Sequence, residues 1–126
     1  MNLSSVGSQL QSNGPDAERA AIIVFVTASS LEEAEKIARI LVEKGLAACA
    51  NILSPVRSIF VWEQNLTEET EVLLMFKTKR DLFGHLAEEV KKLHSYKLPE
   101  IIALPILAGT EDYLNWIAVN TRNTLK

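Results

Sequence analysis

Residues 45–78 read GLAACANILSPVRSIFVWEQNLTEETEVLLMFKT, and this stretch decides the fold. Two long apolar segments, Leu46–Trp62 and Val72–Thr78, flank a polar tip at Glu63–Glu71. Ile59 and Val61 alternate with Phe60 and Trp62, and the segments are rich in β-branched and aromatic residues, which predicts a β-hairpin. It is longer than an ordinary one, because strands typically run about 5–6 residues. Pro55 has no amide to donate to a ladder, so a bend or bulge is expected in the first strand. A hairpin of this length overhangs its own domain, and its exposed edges need partners. The first expectation is therefore association between copies.

The flanking segments follow a regular order. Residues 1–19 are small and polar without periodicity, and are read as a flexible tail; residues 20–126 form a single domain. Ala21–Thr27 is a continuous apolar run, as expected of a central strand. Ser29 and Ser30, followed by Glu32 and Glu33, form a capping signature. Leu31, Ala34, Ala38 and Leu41, with Ile37 beside them, make one stripe of an amphipathic helix over 30–44, with Gly45 as its C-terminal cap. After the hairpin, Asp81 is placed to cap a second helix running to about His94, with Leu82, Leu86, Val90 and Leu93 on one face. Pro99–Leu107 is a third apolar run, assigned to an edge strand by Pro105. A short helix over about 110–121 carries Tyr113, Trp116 and Ile117.

Strand, helix, strand, strand, helix, strand is the split βαβ order of an α+β, ferredoxin-like fold. Two helices cover one face of such a sheet, yet the strands are apolar on both. The short last helix covers part of the second face, and another copy of the chain is the expected cover for the rest, through contacts that close a ring.

The chain has 126 residues, a net charge of −3 and 48% apolar residues. No basic patch suited to nucleic acid and no apolar run of membrane-spanning length occurs. Cys49 is the single cysteine, which excludes an internal disulfide and fits a reducing, cytoplasmic setting. The N-terminal residues do not have the form of a secretory signal.

Polar residues with chemical potential are few. Cys49 is either a small buried hydrophobe or a soft metal ligand suited to Cu(I) or zinc. His94 ends a helix and is a candidate dipole partner, metal ligand or proton carrier. Lys77 and Glu100 are candidates for a structural ion pair, Lys77 alternatively for anion binding, and Glu63 with Glu100 for acid/base work. Trp62 and Trp116 read first as packing residues. No phosphate-binding loop, dinucleotide fingerprint or nucleophile elbow is present.

Five pieces in order, IIVFVTAS, AEKIARILVEKGLAACANI, SIFVWEQNLTEETEVLLMFKT, HSYKLPEIIALPI and DYLNW, resemble the CutA (CutA1) family of divalent-cation tolerance proteins over about residues 21–119. The resemblance implies a ferredoxin-like domain in a tight, thermostable homotrimer, where each hairpin extends a neighbour's sheet. It implies a cleft between subunits lined by Cys49, Trp62, Glu63, Lys77, His94, Tyr96 and Glu100. It also implies binding of a divalent metal, copper foremost, and a role in the response to metal ions, with His94 as a candidate ligand and Cys49 as the residue that would substitute for the family's cysteine; it establishes no enzymatic reaction, and the chain is read as a non-enzyme. The trimer plan is similar to that of PII signalling proteins. The alternative is therefore a signalling or adaptor trimer that takes a small anionic ligand in the cleft. The chain departs from the family pattern in having Gln64 where a glycine usually follows Trp-Glu, Ser95 where proline usually follows the histidine, and Val26 and Leu93 where some members carry cysteine and a second histidine.

Overall fold

A computed structural model of the chain describes residues 8–11 and 17–122. Its strands are β1 (Ser8–Leu10), β2 (Ala21–Ala28), β3 (Cys49–Trp62), β4 (Asn65–Lys79), β5 (Ile101–Pro105) and β6 (Ala108–Thr110). Its helices are α1 (Leu31–Glu43), α2 (Phe83–Leu93) and α3 (Glu111–Val119). The main sheet has the order β3-β4-β2-β5, and every neighbouring pair is antiparallel. This is the ferredoxin-like α+β arrangement: the two continuous apolar runs are central, and the proline-bearing strand lies at an edge.

Of the stretch read as a tail, residues 1–7 and 12–16 lie outside the described residues. Ser8–Leu10, by contrast, pair antiparallel with β6, and Ala17–Arg19 form a 3₁₀ turn. Ser8–Leu10 are held by backbone pairing, which leaves no mark in apolar periodicity.

Helix α1 starts as its sequence dictates. Ser30 is its N-cap and its hydroxyl accepts from the Glu33 amide at 3.1 Å. Its end is a Schellman arrangement: Leu46 N–H reaches the Leu41 carbonyl, and Gly45 N–H reaches that of Val42. Gly45 takes φ +74°, and a Cβ there would lie 2.7 Å from Arg122 Cγ. Ile37 lies at the centre of the buried stripe, whereas Leu31, assigned to the stripe from spacing, is exposed. Asp81 does not cap α2: it lies inside a 3₁₀ turn over Arg80–Leu82, and Leu82 is the N-cap, without a side-chain bond. Leu82, Leu86 and Val90 nevertheless bury as the spacing predicts.

Strand alternation sorts the sheet into two faces. Ile22, Val24, Val26 and Ala28 of β2 and Val72, Leu74 and Phe76 of β4 are buried against α1 and α2. Opposite them, Phe25, Met75, Ile23 and Leu73 are only partly buried, and Ile102, Leu104 and Leu53 are exposed. Helix α3 covers one end of this second face, where Leu114 and Ile117 pack on Ala21 and Ala48.

The hairpin outruns the sheet. β2 pairs with β4 only over Val72–Lys79, while β3 and β4 continue as a two-stranded ribbon to Trp62 and Asn65. The register shifts between Leu53 and Val56, where proline was expected to interrupt the ladder. The turn is shorter than the polar stretch suggested: only Glu63 (φ 49°) and Gln64 (φ 70°) leave the strands, and Asn65–Glu71 belong to β4. Glu68 and Glu69 face solvent on a ribbon, so polarity there marked exposure and not a loop, while Glu71 at the base of the ribbon is buried.

Candidate functional site

Two polar clusters lie at opposite ends of the sheet. The first forms where α2 stops. His94 leaves the helix with extended backbone (φ −85°, ψ 142°) while its N–H still caps Val90. Its ring then lies against the end of β2. Nδ1 accepts from the Tyr96 amide at 3.0 Å, so Nε2 carries the proton and donates to the Thr27 carbonyl at 2.6 Å. Both ring nitrogens are thus engaged in holding the loop. The His94 and Tyr96 rings lie 4.8 Å apart and tilted.

The Tyr96 hydroxyl donates to Glu71 Oε2 at 2.9 Å, and Glu71 is only 7% exposed. Burial, the hydrogen bond to Glu71 and the charges of Glu71, Glu69 and Glu33 push the phenol up to about 12. Glu33 closes the cluster from α1. Its Oε2 accepts from the Ser95 amide at 2.7 Å, and its Oε1 accepts from the amide and hydroxyl of Ser29. Burial pulls the Glu33 carboxyl upward, but the bonds from Ser29 and Ser95 outweigh it and hold the group below its ordinary value. The capping carboxylate therefore also fixes the loop that presents His94 and Tyr96.

The second cluster lies where β3 begins. Cys49 is in register with Lys77, and Lys77 Nζ donates to Asn51 Oδ1 on the same face of the sheet. The Tyr113 hydroxyl from α3 meets the Cys49 thiol, and burial together with that thiol pushes Tyr113 upward. Tyr113 stacks on Trp116 at 5.5 Å, and both rings are about half exposed.

The chain does not bring its seven candidate residues into one place. His94 and Tyr96 are together. Glu100, exposed, directly precedes Ile101, which pairs with Val26, so it lies at the same end of the sheet. Cys49 and Lys77 are at the other end: Lys77 faces Ile23 and Thr27 faces Leu73, four residues along β4, or about 13 Å. Lys77 and Glu100 are separated in the same way, and Lys77 bonds Asn51. Trp62 and Glu63 are exposed at the hairpin tip, beyond the sheet altogether. Sequence reasoning missed Thr27, Glu71 and Tyr113 as partners. Only Glu33 carried a signal, as part of the capping pattern, and that signal spoke for the helix alone.

Among the described residues, no group of three or more His, Cys, Asp or Glu side chains is placed to hold an ion. Cys49 and His94 do not converge within one chain, and His94 has no ring nitrogen left over. A site built from one copy does not fit a metal. Among the described residues, no helix is long and apolar enough to cross a membrane.

Comparison with known proteins agrees with the fold. Residues 22–120 match the family described as CutA1 divalent ion tolerance protein. The divalent-cation tolerance protein CutA of Thermus thermophilus is 46% identical over 99 residues, which are 79% of this chain and 96% of its own. Its solved structure superposes with a TM-score of 0.80 at 45% identity, covering 81% of this chain and 99% of its own. The chloroplastic CutA protein of Arabidopsis thaliana is 41% identical over 103 residues, 82% of this chain and 57% of that longer protein. A structure from Archaeoglobus fulgidus, described as a periplasmic divalent cation tolerance protein CutA, gives a TM-score of 0.77 at 44% identity over 79% of this chain and 97% of its own. With the split βαβ sheet, the long hairpin and the His94–Tyr96 loop all in place, the chain belongs to the CutA1 family of divalent-cation tolerance proteins.

Proposed function

We propose that the protein works as a homotrimer that binds divalent metal, copper foremost, in the response to metal ions, and that it catalyses no reaction. The observation that carries the assembly is the second sheet face. Phe25, Met75, Ile23, Ile102 and Leu104 form an apolar surface that α3 covers only at one end. An uncovered surface of this kind marks an association site. The overhanging ribbon, with Ile59, Val61, Trp62 and Leu66 exposed, supplies a second contact for a neighbour. In a closed ring the tip residues Trp62 and Glu63 of one copy reach a cleft lined by Lys77, Tyr96 and Glu100 of others.

Donors for copper then come from different copies. Cys49 is the softest of them, and thiolate suits zinc as well as reduced copper. His94 joins only by releasing Thr27 or the Tyr96 amide. Burial of three sheet faces gives the trimer high resistance to heat, and the single free thiol fits a reducing cytoplasm.

Native mass spectrometry of protein purified without added metal, followed by copper titration, tests this reading. The expected result is a mass three times that of the 14.0 kDa chain. Stoichiometric copper uptake should be abolished in Cys49→Ala and reduced in His94→Ala. A monomer overturns the assembly. Copper retained by both variants overturns the donors.

A further inference from the structure

β5 stops pairing with β2 at Pro105, which faces Ile22 and has no amide hydrogen. One step beyond, Ala21 pairs with Lys79 on its β4 side. The same register would bring Ile106 opposite Ala21 on the β5 side. The carboxamide of Gln11 lies between them instead. Its Nε2 donates to the Ala21 carbonyl at 2.9 Å and to the Ile106 carbonyl at 2.5 Å, and its Oε1 accepts from the Ala21 amide at 2.6 Å. The backbone amide of Gln11 donates to Leu107 at 3.0 Å, and the three preceding residues pair with β6.

A primary amide has an acceptor oxygen and two donor hydrogens, so it can take the place of a peptide unit where two strands diverge. Three backbone groups at the sheet's edge are satisfied in this way. Glutamate has the same size but no hydrogen to give either carbonyl. Gln11 also forms one wall of a cavity of about 740 Å³ shared with Arg19, Lys79 and Glu111.

We propose that the outer edge of β6, with the gap between Ala21 and Ile106, is an acceptor site for an extended peptide, and that residues 8–11 of the same chain are its resident ligand, seated by Gln11. Binding is by strand addition: main-chain pairing gives the hold, and the carboxamide gives the register and the selectivity. The arm is a strap on the domain, and its release opens both the β6 edge and that wall of the cavity.

Hydrogen exchange on the full chain tests this. In Gln11→Glu, amides of residues 8–11 and 108–110 should exchange at least about tenfold faster than in the wild type, while those of β2 and β4 keep their rates. Gln11→Ala, which adds no charge, should give the same pattern. A peptide of residues 7–12 at millimolar concentration, comparable to the effective concentration of a short tether, should restore slow exchange at 108–110 in Gln11→Glu. The same peptide with glutamate in the Gln11 position should not. Equal exchange in the wild type and both variants overturns the latch. Faster exchange that the peptide does not reverse overturns the acceptor site. Loosening that spreads into β2 and β4 shows a core residue and overturns the strap.

Discussion

At the scale of single residues, Tyr96 has the most distinct consequence. Its neutral phenol donates to Glu71, and ionising it would add a further negative charge beside those of Glu71, Glu69 and Glu33. The folded value stands at about 12 against an ordinary 10.0, so the stabilisation is fully present below pH 10 and is lost as pH rises through 12. Tyr96→Phe should lower the urea midpoint at neutral pH, because Glu71 then has a buried oxygen without its donor, a cost of about 1–3 kcal/mol. The variant's midpoint should fall less steeply than the wild type's between pH 10 and 12. Parallel curves for the two proteins would show that the Tyr96 hydroxyl does not titrate against this cluster. None of this was legible in the sequence. Glu71 lies 25 residues from Tyr96, in a polar run that reads as a loop, and only the pairing of β4 with β2 brings it under the ring.

At the scale of elements, most of the chain was legible, because periodicity and cap chemistry agreed. α1 carried both a Ser30 cap and a Gly45 stop, and the structure uses both. The elements that were misplaced were those whose cause is not apolar. β1 is held by main-chain bonds and a glutamine side chain, α2 starts from a 3₁₀ turn without a side-chain cap, and the ribbon from Asn65 to Thr70 is polar because it is wet. The hairpin turn is the weak point of its element. A two-residue turn with both φ values positive favours glycine or asparagine, and this chain places Glu63 and Gln64 there. A left-handed conformation costs an ordinary residue about 1–2 kcal/mol, and glycine recovers this at the expense of extra freedom in the unfolded chain. Gln64→Gly should therefore stabilise the protein by about 0.5–1 kcal/mol per chain and raise its melting temperature. An unchanged or lower melting temperature would mean that the Gln64 side chain makes contacts that outweigh the strain.

At the scale of the whole molecule, the two sheet faces have different roles. The face under α1 and α2 holds the core, so a change on the other face can separate association from folding. Phe25→Glu places a charge at the middle of the open face, beside Met75 and Ile102. It should yield a folded chain of monomer mass by sedimentation, with its helical circular dichroism kept and its heat resistance reduced. A trimer that survives the substitution would place the association surface elsewhere. The apolar character of the second face was legible in the runs, but the grouping of the candidate site residues was not. Spacing along the chain does not say that Cys49 and His94 end four register steps apart. The direction of the strands also fixes where the chain can be handled. The strap at Ala21, and Thr121, whose carbonyl accepts from Lys79, gather both ends of the described chain at the start of β2, while the hairpin turn lies at the far end of β4. Fourteen residues of strand separate the two, about 45 Å. A surface that holds the domain through the residues around Ala21 and Thr121 would therefore leave the hairpin turn at the opposite pole.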